Sequence, residues 1–509
     1  MSLANGVLLL LVSGAFSKVI GVFYRVPLSY LLGAEGIGLY QMAYPVFTVA
    51  AILATGGLPV AIAKFMAEHL ALGREDEAWR FFRVGRWVLL AQGLLLSALL
   101  FAAAPLIAVR ILGDPRAALP LQSLAPAVFF LAWEGSLRGY FQGHQALAVL
   151  AQAQALEQLV RVATMLTLAF LLLPWGLEYA AAGATAGAAG GAAFAAIFFE
   201  WRRRGLPQSP GRVRAGSWYA ALRRLEHFAL PVMFGSFVMP VMQMVDAAIV
   251  PVRLQAGGIP MRTATALFGQ HAGMALSLVG IPTVATAALA TALVPSLAAA
   301  AVQGDRAAVT RRARQALSLT LAVSIPAAVG LYTLPEEICQ VLFNTPEAAV
   351  PLRWLAFGTV GLCLMETASA LLHSLNLGPW AALAIFVGGT LNAFLDYELA
   401  ALPAFNIRGA ALGTALGFTV AAALAVGRLA YHTPGCWSLQ LVLAPALGAA
   451  LMVPVVRLVL HYGLVHGWPL AGATLGAVAA GAVFYAAYAV AGGLVPRELL
   501  PRLPRHPPL

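Results

Sequence analysis

The stretch Ser13–Tyr44 reads SGAFSKVIGVFYRVPLSYLLGAEGIGLYQMAY and sets two cations, Lys18 and Arg25, inside an apolar run that otherwise has the character of a membrane-spanning helix. A cation near the centre of a bilayer is unfavourable by about 2.5–3.5 kcal/mol even on insertion scales, so such side chains usually face protein or water. The two lie about two helical turns apart and point the same way. A buried, positively charged stripe follows, and the function has to account for it.

Composition places the rest of the chain in the same solvent. Of 509 residues, 61% are hydrophobic and 10% are charged, with a mean hydropathy of +0.84. Soluble domains run near 25% charged, so this chain lacks the polar surface to cover a water-exposed body of its size. Long apolar runs carrying 49 Gly and 31 Pro point to helices rather than to the ten-residue alternation of a barrel. Cys339, Cys363 and Cys436 share no short spacing and read as packing residues. No basic n-region or Ala-x-Ala exit marks a cleavable leader. The net charge of +11 reports on loops near anionic lipid and carries no case for nucleic acid.

About 20 apolar residues cross a bilayer, and on that basis the sequence predicts an all-α membrane protein of about fourteen spans between residues 6 and 493. The first two are expected at 6–32 and 37–63, and the eighth, 265–299, is overlong and carries Pro282 and Pro295. Basic residues gather at 64–83, 202–224, 306–314 and 497–505, on one side of the membrane. The other side holds only Arg110, Arg116, Arg253, Arg262, Arg353 and Arg408. The positive-inside rule then places both termini in the cytoplasm.

The polar, Arg-rich segment 201–225 reads as a linker between halves. Two echoes support a duplicated six-helix unit. Pro59 and Pro295 close similar segments, and LRGYFQGHQALAVLAQ from Leu137 echoes LLHSLNLGPWAALAIF from Leu371 at nearly the same offset. The expected organisation is a six-helix lobe over 1–200, the linker 201–225, a second lobe over 226–430, two further helices over 431–495 and a tail over 496–509. Copies of six helices share one topology, and their pseudo-twofold axis would run along the membrane normal.

Charges inside spans are the candidate functional residues. Glu134 and Arg138 in the fourth span, and Glu157 and Arg161 in the fifth, each stand at i, i+4 with Glu first, the favourable order for an ion pair. Two readings are open: each pair neutralises itself while Arg138 snorkels to the interface, or the four line a cavity, with Arg161 the better placed for it. Asp246 near the end of the seventh span can pair with Arg253, and the same interfacial reading applies to Asp396 and Glu398. Glu366, deeper in its span, is a candidate to titrate or to meet a cation from another helix. Gln270 and His271 open the eighth span, where a lone His is more often structural than a proton carrier. No HExxH, Walker A or GxSxG motif occurs, so the chain reads as no enzyme, with no cofactor and no metal.

The segments FSKVIGVFYRVPLSYLLGAEGIGLYQMAYPVF, LRGYFQG, EQLVRV, VDAAIVPVRL and GQHAGMALSLVGIPTVATAALATALVPSL resemble the stage V sporulation protein B and polysaccharide biosynthesis family. That family sits in the multidrug/oligosaccharidyl-lipid/polysaccharide exporter superfamily, with MurJ-type lipid II flippases and MATE antiporters. The resemblance implies two six-helix lobes in a V, a central cavity opening alternately to each side, and a lipid-linked sugar as substrate. The MurJ-like Ser-Arg-Val-Leu-Gly motif and the Arg after it match Lys18 in SKVIG and Arg25, with the last two spans resembling a pair that shapes a groove for a polyprenyl tail. Two features depart: the second span carries no double Arg, and Gln270-His271 stands where Asp-Arg opens the eighth.

The expectation is a flippase of the bacterial plasma membrane that moves a polyprenyl-pyrophosphate-linked saccharide, lipid II or a related envelope precursor, to the outer leaflet. Membrane potential, H+ or Na+ would drive it, with Asp246 or Glu366 as carriers. Lipids and envelope-synthesis enzymes are its expected partners. The alternatives are a MATE-like cation-coupled exporter of drugs or metabolites and a membrane scaffold for envelope or spore-coat synthesis.

Overall fold

The computed structural model describes residues 23–205 and 217–494, with 9, 13, 14, 17, 20 and 21. Among these residues there is no strand, and thirteen helices are long and apolar enough to cross a membrane. Much of the expected first span, Lys18 included, lies outside the described residues, as do residues 206–216 of the linker and the tail 496–509. The chain separates into two units, Met1–Gly273 and Met274–Leu509.

Unit 1 contains α1 (Arg25–Thr55), α2 (Leu58–Ala71), α3 (Glu75–Arg110), α4 (Ala118–Gly143), α5 (Leu147–Leu172), α6 (Leu177–Arg204), α7 (Trp218–Ala256) and α8 (Met261–Phe268), and a π-helical segment, Gly269–Ala275, begins in it and ends two residues past its boundary. α1 is kinked at Gly33, whose φ of 61° lies outside helical space. The expected second span is broken inside its length, because Gly56 and Gly57 both take left-handed conformations, at φ 52° and 72°. Glycine enters that region without the Cβ clash other residues meet. Pro59 then opens α2 in the first turn, where its missing N–H costs nothing.

Small residues set how closely these helices approach. A Cβ on Gly139 of α4 would lie 2.6 Å from the Pro59 carbonyl oxygen of α2, and one on Gly187 of α6 would lie 2.7 Å from the Arg161 carbonyl oxygen of α5. In a bilayer, where hydrocarbon competes equally for apolar side chains, such backbone contact is a main source of helix association. Between α3 and α4 an aromatic cluster fills the space, with Trp79 and Tyr140 ring centres 5.5 Å apart and Phe82 and Tyr140 4.9 Å apart.

Unit 2 contains α9 (Leu276–Val279), α10 (Ile281–Val302), α11 (Arg306–Thr333), α12 (Pro335–Phe343), α13 (Ala349–Ser374), α14 (Gly378–Leu399), α15 (Ile407–His432), α16 (Gln440–Val465) and α17 (Leu470–Ala491). The overlong eighth span is thus divided into α8, the π segment, α9 and α10. Pro282 falls in the first turn of α10, where it is tolerated, whereas Pro295 stays inside the helix.

One succession of packing occurs in both units. In unit 1, α2 and α3 pack on α4, α4 packs on α6, and α5 packs on α6; in unit 2, α10 and α11 pack on α13, α13 packs on α15, and α14 packs on α15. The paired echoes fall on matching helices, Pro59 in α2 with Pro295 in α10 and Leu137 in α4 with Leu371 in α13. The close approach of α6 to α5 has its counterpart, since a Cβ on Gly417 of α15 would lie 2.7 Å from the Gly388 carbonyl oxygen of α14. α16 and α17 pack on each other and α16 packs on α11, where Arg314 donates to the Gly435 carbonyl at 3.1 Å and to Ser438 Oγ at 3.2 Å.

Gly139→Leu is expected to lower stability by about 1–3 kcal/mol through overpacking, read by thermal unfolding in detergent. Gly330→Ala, in α11 where nothing lies within 4 Å, should leave the transition unchanged or raise it, by up to about 1 kcal/mol.

Candidate functional site

The charged residues of α4 and α5 meet in one place. Glu134 accepts from Arg138 on α4, and Glu157 accepts from Arg161 on α5. Arg138 Nη2 also lies 3.4 Å from Glu157 Oε2, so the two intrahelical pairs join into an alternating row, Glu134, Arg138, Glu157, Arg161. Both sequence readings hold in part: each pair is satisfied on its own helix, and all four residues line a cavity of about 540 Å³. Arg138 bridges two helices instead of turning wholly outward, although its side chain keeps 42% exposure.

The helices hold this row by close backbone contact. Gly191 of α6 would place a Cβ 3.0 Å from the Glu157 carbonyl oxygen, and Gly187 lies equally tight on Arg161. α5 therefore cannot rotate its charges outward without parting from α6. On α4, Gly135 and Gly139 face Pro59 of α2, and the adjacent positions, Glu134 and Arg138, are turned into the cavity.

The remaining lining mixes polar side chains, Gln154 and Gln158 from α5, Thr48, Thr55 and Tyr44 from α1 and Ser17 from the first span, with aliphatic ones such as Ile52 and Leu131. Ser13 Oγ donates to the Ala151 carbonyl at 2.8 Å, which seats that span on α5. Glu134 Oε2 and Arg161 Nε are buried with no hydrogen-bond partner among the described residues. Capacity to bind thus remains on both signs of charge.

Arg25 does not line this cavity but reaches it through a ladder of tyrosines. It is half-buried and adjacent in sequence to Tyr24, whose hydroxyl lies 3.4 Å from that of Tyr40. The Tyr40 and Tyr44 rings stack at 5.5 Å. Tyr44, on the cavity wall, is within electrostatic reach of both Arg25 and Arg161. Nothing in the charge pattern points to these tyrosines; their spacing along α1, Tyr40 and Tyr44 one turn apart, is the signal that would have.

Other predicted residues lie elsewhere. Gln270 and His271 are buried in the π segment, at 8% and 2% exposure. That segment is pressed against α1, and Gln41 Nε2 donates to the Ala272 carbonyl, 2.8 Å away, that the π geometry frees. Asp246 and Arg253 are half-buried on α7. Glu366 belongs to unit 2, where it lines a separate, mostly apolar cavity of about 320 Å³ with Thr367, Ala287 and Pro295. Asp396, expected at an interface, is fully buried against α15, where Gly413 leaves room for its carboxylate, while Glu398 is exposed.

A second charged cluster in unit 1 is visible only in the folded chain. Asp114, with no exposed surface, accepts from Arg116 Nη2 and from Thr265 Oγ1 of α8, each at 2.7 Å. Arg116 also pairs with Glu35 of α1. Three separated segments are tied at one point, with Gly113 and Gly38 permitting the approach. Burial acts to raise the Asp114 carboxyl, but the hydrogen bonds from Arg116 and Thr265 outweigh it and hold the group below its ordinary range.

Comparison with known proteins places this architecture. A family model described as polysaccharide biosynthesis protein matches residues 3–301. Stage V sporulation protein B of Bacillus subtilis (strain 168) is 30% identical over 425 residues, 82% of this chain and 81% of the relative. Lipid II flippase MurJ of the same organism is 25% identical over an alignment covering 99% of this chain and 97% of the relative. Among solved structures, lipid II flippase MurJ in an inward closed conformation matches with a TM-score of 0.71 at 14% identity, covering 94% of this chain and 98% of that one. An inward-facing multidrug resistance MATE family transporter matches at 0.67 and 16% identity, covering 82% and 96%. At these identities the two structures speak for the fold.

Two outcomes follow from this geometry. In double-mutant cycles the coupling of Glu157 with Arg161 should exceed that of Glu157 with Arg138. Breaking a buried pair costs about 3–5 kcal/mol, while the exposure of Arg138 brings its share toward the surface range of about 0–1 kcal/mol. Because the Asp114 carboxyl is held low, its contribution is fully present above the unfolded value of about 3.9 and is lost as pH falls through the lower folded value. Asp114→Asn should therefore flatten the stability profile on the acid side, measured by thermal unfolding from pH 6 downward.

Proposed function

Because the chain belongs to the polysaccharide biosynthesis protein family, as its family match and its sporulation-protein relative establish, we propose that this multi-pass membrane protein is a flippase for a lipid-linked saccharide, and no enzyme. The observation that carries the reading is the unit 1 cavity, where two arginines, each paired with a glutamate, stand with amide and hydroxyl side chains inside the membrane-spanning region. A pyrophosphate entering hydrocarbon unpaired would be prohibitive. Guanidinium groups meet it with charge and with paired hydrogen bonds.

The carboxylates give the site an empty state. With no substrate, Glu134 and Glu157 neutralise Arg138 and Arg161, so the cavity holds no uncompensated charge from these four residues. An arriving pyrophosphate competes for the guanidinium groups, with Arg25 and Lys18 adding charge from the first span. Gln154, Gln158 and Thr48 offer donors and acceptors to a sugar, and the prenyl tail stays in lipid. The saccharide is lipid II, the substrate named for one relative, or a related envelope precursor. The protein works in the bacterial plasma membrane with both termini cytoplasmic, beside envelope-synthesis enzymes. Membrane potential, H+ or Na+ supplies the driving force, with Asp246 or Glu366 as the carrier.

A cation exporter on the related MATE fold would need negative charge in excess in its cavity, and here two carboxylates are matched by two arginines. In proteoliposomes loaded with a polyprenyl-pyrophosphate saccharide, Arg138→Gln/Arg161→Gln and Lys18→Gln/Arg25→Gln are each expected to slow translocation by about tenfold or more, the loss of charge-assisted contacts. Full-rate flipping by a folded double variant would sink the headgroup assignment. Native mass spectrometry of the purified protein should show a co-bound lipid-linked saccharide and identify its sugar.

A further inference from the structure

Arg428, near the end of α15, is a cation held by aromatic rings. Its guanidinium lies 4.1 Å from the ring centre of Trp380 on α14 and 5.3 Å from that of Tyr431, one turn further on. Among the described residues it donates no hydrogen bond and meets no carboxylate, and its Nε is buried without a partner. A ring face attracts the charge but offers no oxygen or nitrogen acceptor, so the donors of the guanidinium fork remain for another partner. The rings thus position the group without consuming its hydrogen-bonding capacity. At the neighbouring position Gly427 has nothing within 4 Å of where a Cβ would stand, which leaves the approach open.

Depth places this group at a membrane boundary. α15 runs for 26 residues, about 39 Å of helix, whereas the hydrocarbon core is about 30 Å thick. Arg428 and Tyr431 fall in the last two turns of α15, and Trp380 falls in the first turn of α14. Trp380 is 43% and Tyr431 is 74% exposed, and indole and phenol at the ends of spans mark the headgroup layer.

Charge at this end of unit 2 has one sign. Segments 367–380 and 425–438 contain no acidic residue. α11 begins at the same end, because its Arg314 donates to the Gly435 carbonyl just beyond α15, and its first turns carry Arg306, Arg311 and Arg312 as well. Asp305 beside them caps the helix, accepting from Ala308 N at 2.9 Å. The opposite ends of these helices and the turns next to them carry Glu336, Glu337, Glu347 and Glu398 against Arg353 and Arg408. A fixed field of this kind draws an anion to the end that holds Arg428, and basic sites between membrane helices at headgroup depth suit anionic lipids.

We propose that Arg428 binds the phosphodiester of an anionic phospholipid. The guanidinium fork holds the phosphate, Trp380 and Tyr431 keep the fork in place beside the glycerol, and the acyl chains run along α14 and α15 into the bilayer. The site lies wholly in unit 2 and is independent of the saccharide reading of the unit 1 cavity.

The test uses the full-length protein, delipidated in neutral detergent, with phosphatidylglycerol, phosphatidylcholine or inorganic phosphate added, read by native mass spectrometry and thermal unfolding. Phosphatidylglycerol is expected to bind and to raise the transition, with phosphatidylcholine much weaker. Arg428→Gln should weaken phosphatidylglycerol about tenfold, the loss of one charge-assisted contact. Arg428→Lys, which keeps the charge without the fork, should fall between the two. Trp380→Leu, which frees the guanidinium, should weaken it about threefold. If Arg428 only holds α14 on α15, Arg428→Gln lowers the transition of the lipid-free protein and leaves its response to phosphatidylglycerol unchanged, and that result overturns the proposal. Equal response to the two lipids also overturns it. An equal response to inorganic phosphate assigns Arg428 to a soluble anion and overturns the lipid. Should Arg428→Gln fail to fold, Trp380→Leu decides, and wild-type affinity there counts against the site.

Discussion

Glu157 is the group on which the charged interior of unit 1 depends. It accepts from Arg161 on its own helix and stands within reach of Arg138 on α4, so a single carboxylate compensates parts of two guanidinium groups and joins two helices. In a hydrocarbon setting no water is available to solvate an unpaired ion, and a charge is kept only where protein supplies the partner. The alternating row of four residues is the smallest arrangement that lets α4 and α5 each carry an arginine across the same depth. It also makes the arginines exchangeable, because an anion that competes with the carboxylates meets groups already oriented.

That orientation comes from apolar packing. α5 is held against α6 by backbone contact at Gly187 and Gly191, and α4 against α2 at Gly139. Close approach leaves little rotational freedom, so each charged pair is aimed by the small residues on the neighbouring face of the same or the adjacent helix. The tyrosines of α1 extend the polar path from Tyr44 toward Arg25, and the Asp114 cluster fixes the region where Glu35 of α1 and Thr265 of α8 come together. Unit 1 is thus tied by ions at one end and filled by aromatic side chains around Trp79, Phe82 and Tyr140.

Unit 2 repeats the packing without the chemistry. Its helices meet in the same succession, with Gly417 of α15 against α14 playing the part of Gly187 of α6 against α5, yet the cavity beside Glu366 is lined mainly by alanine, valine and proline.

The sequence by itself determined the solvent and the class of fold, because hydropathy and span length are properties of consecutive residues and need no partner. It also marked Glu134, Arg138, Glu157 and Arg161, since ions are rare enough in spans to stand out and i, i+4 spacing is local. Which of the two readings of those pairs holds was a matter for the tertiary structure: Arg138 and Glu157 are nineteen residues apart, and nothing within either helix says that they face each other. The same limit hid the Asp114 cluster, whose members come from three distant segments, and the burial of Asp396, which turns on a glycine in the next helix. It also hid the breaks at Gly56–Gly57 and through the π segment, where the approach of one helix to another, not the propensity of either, decides where a span ends.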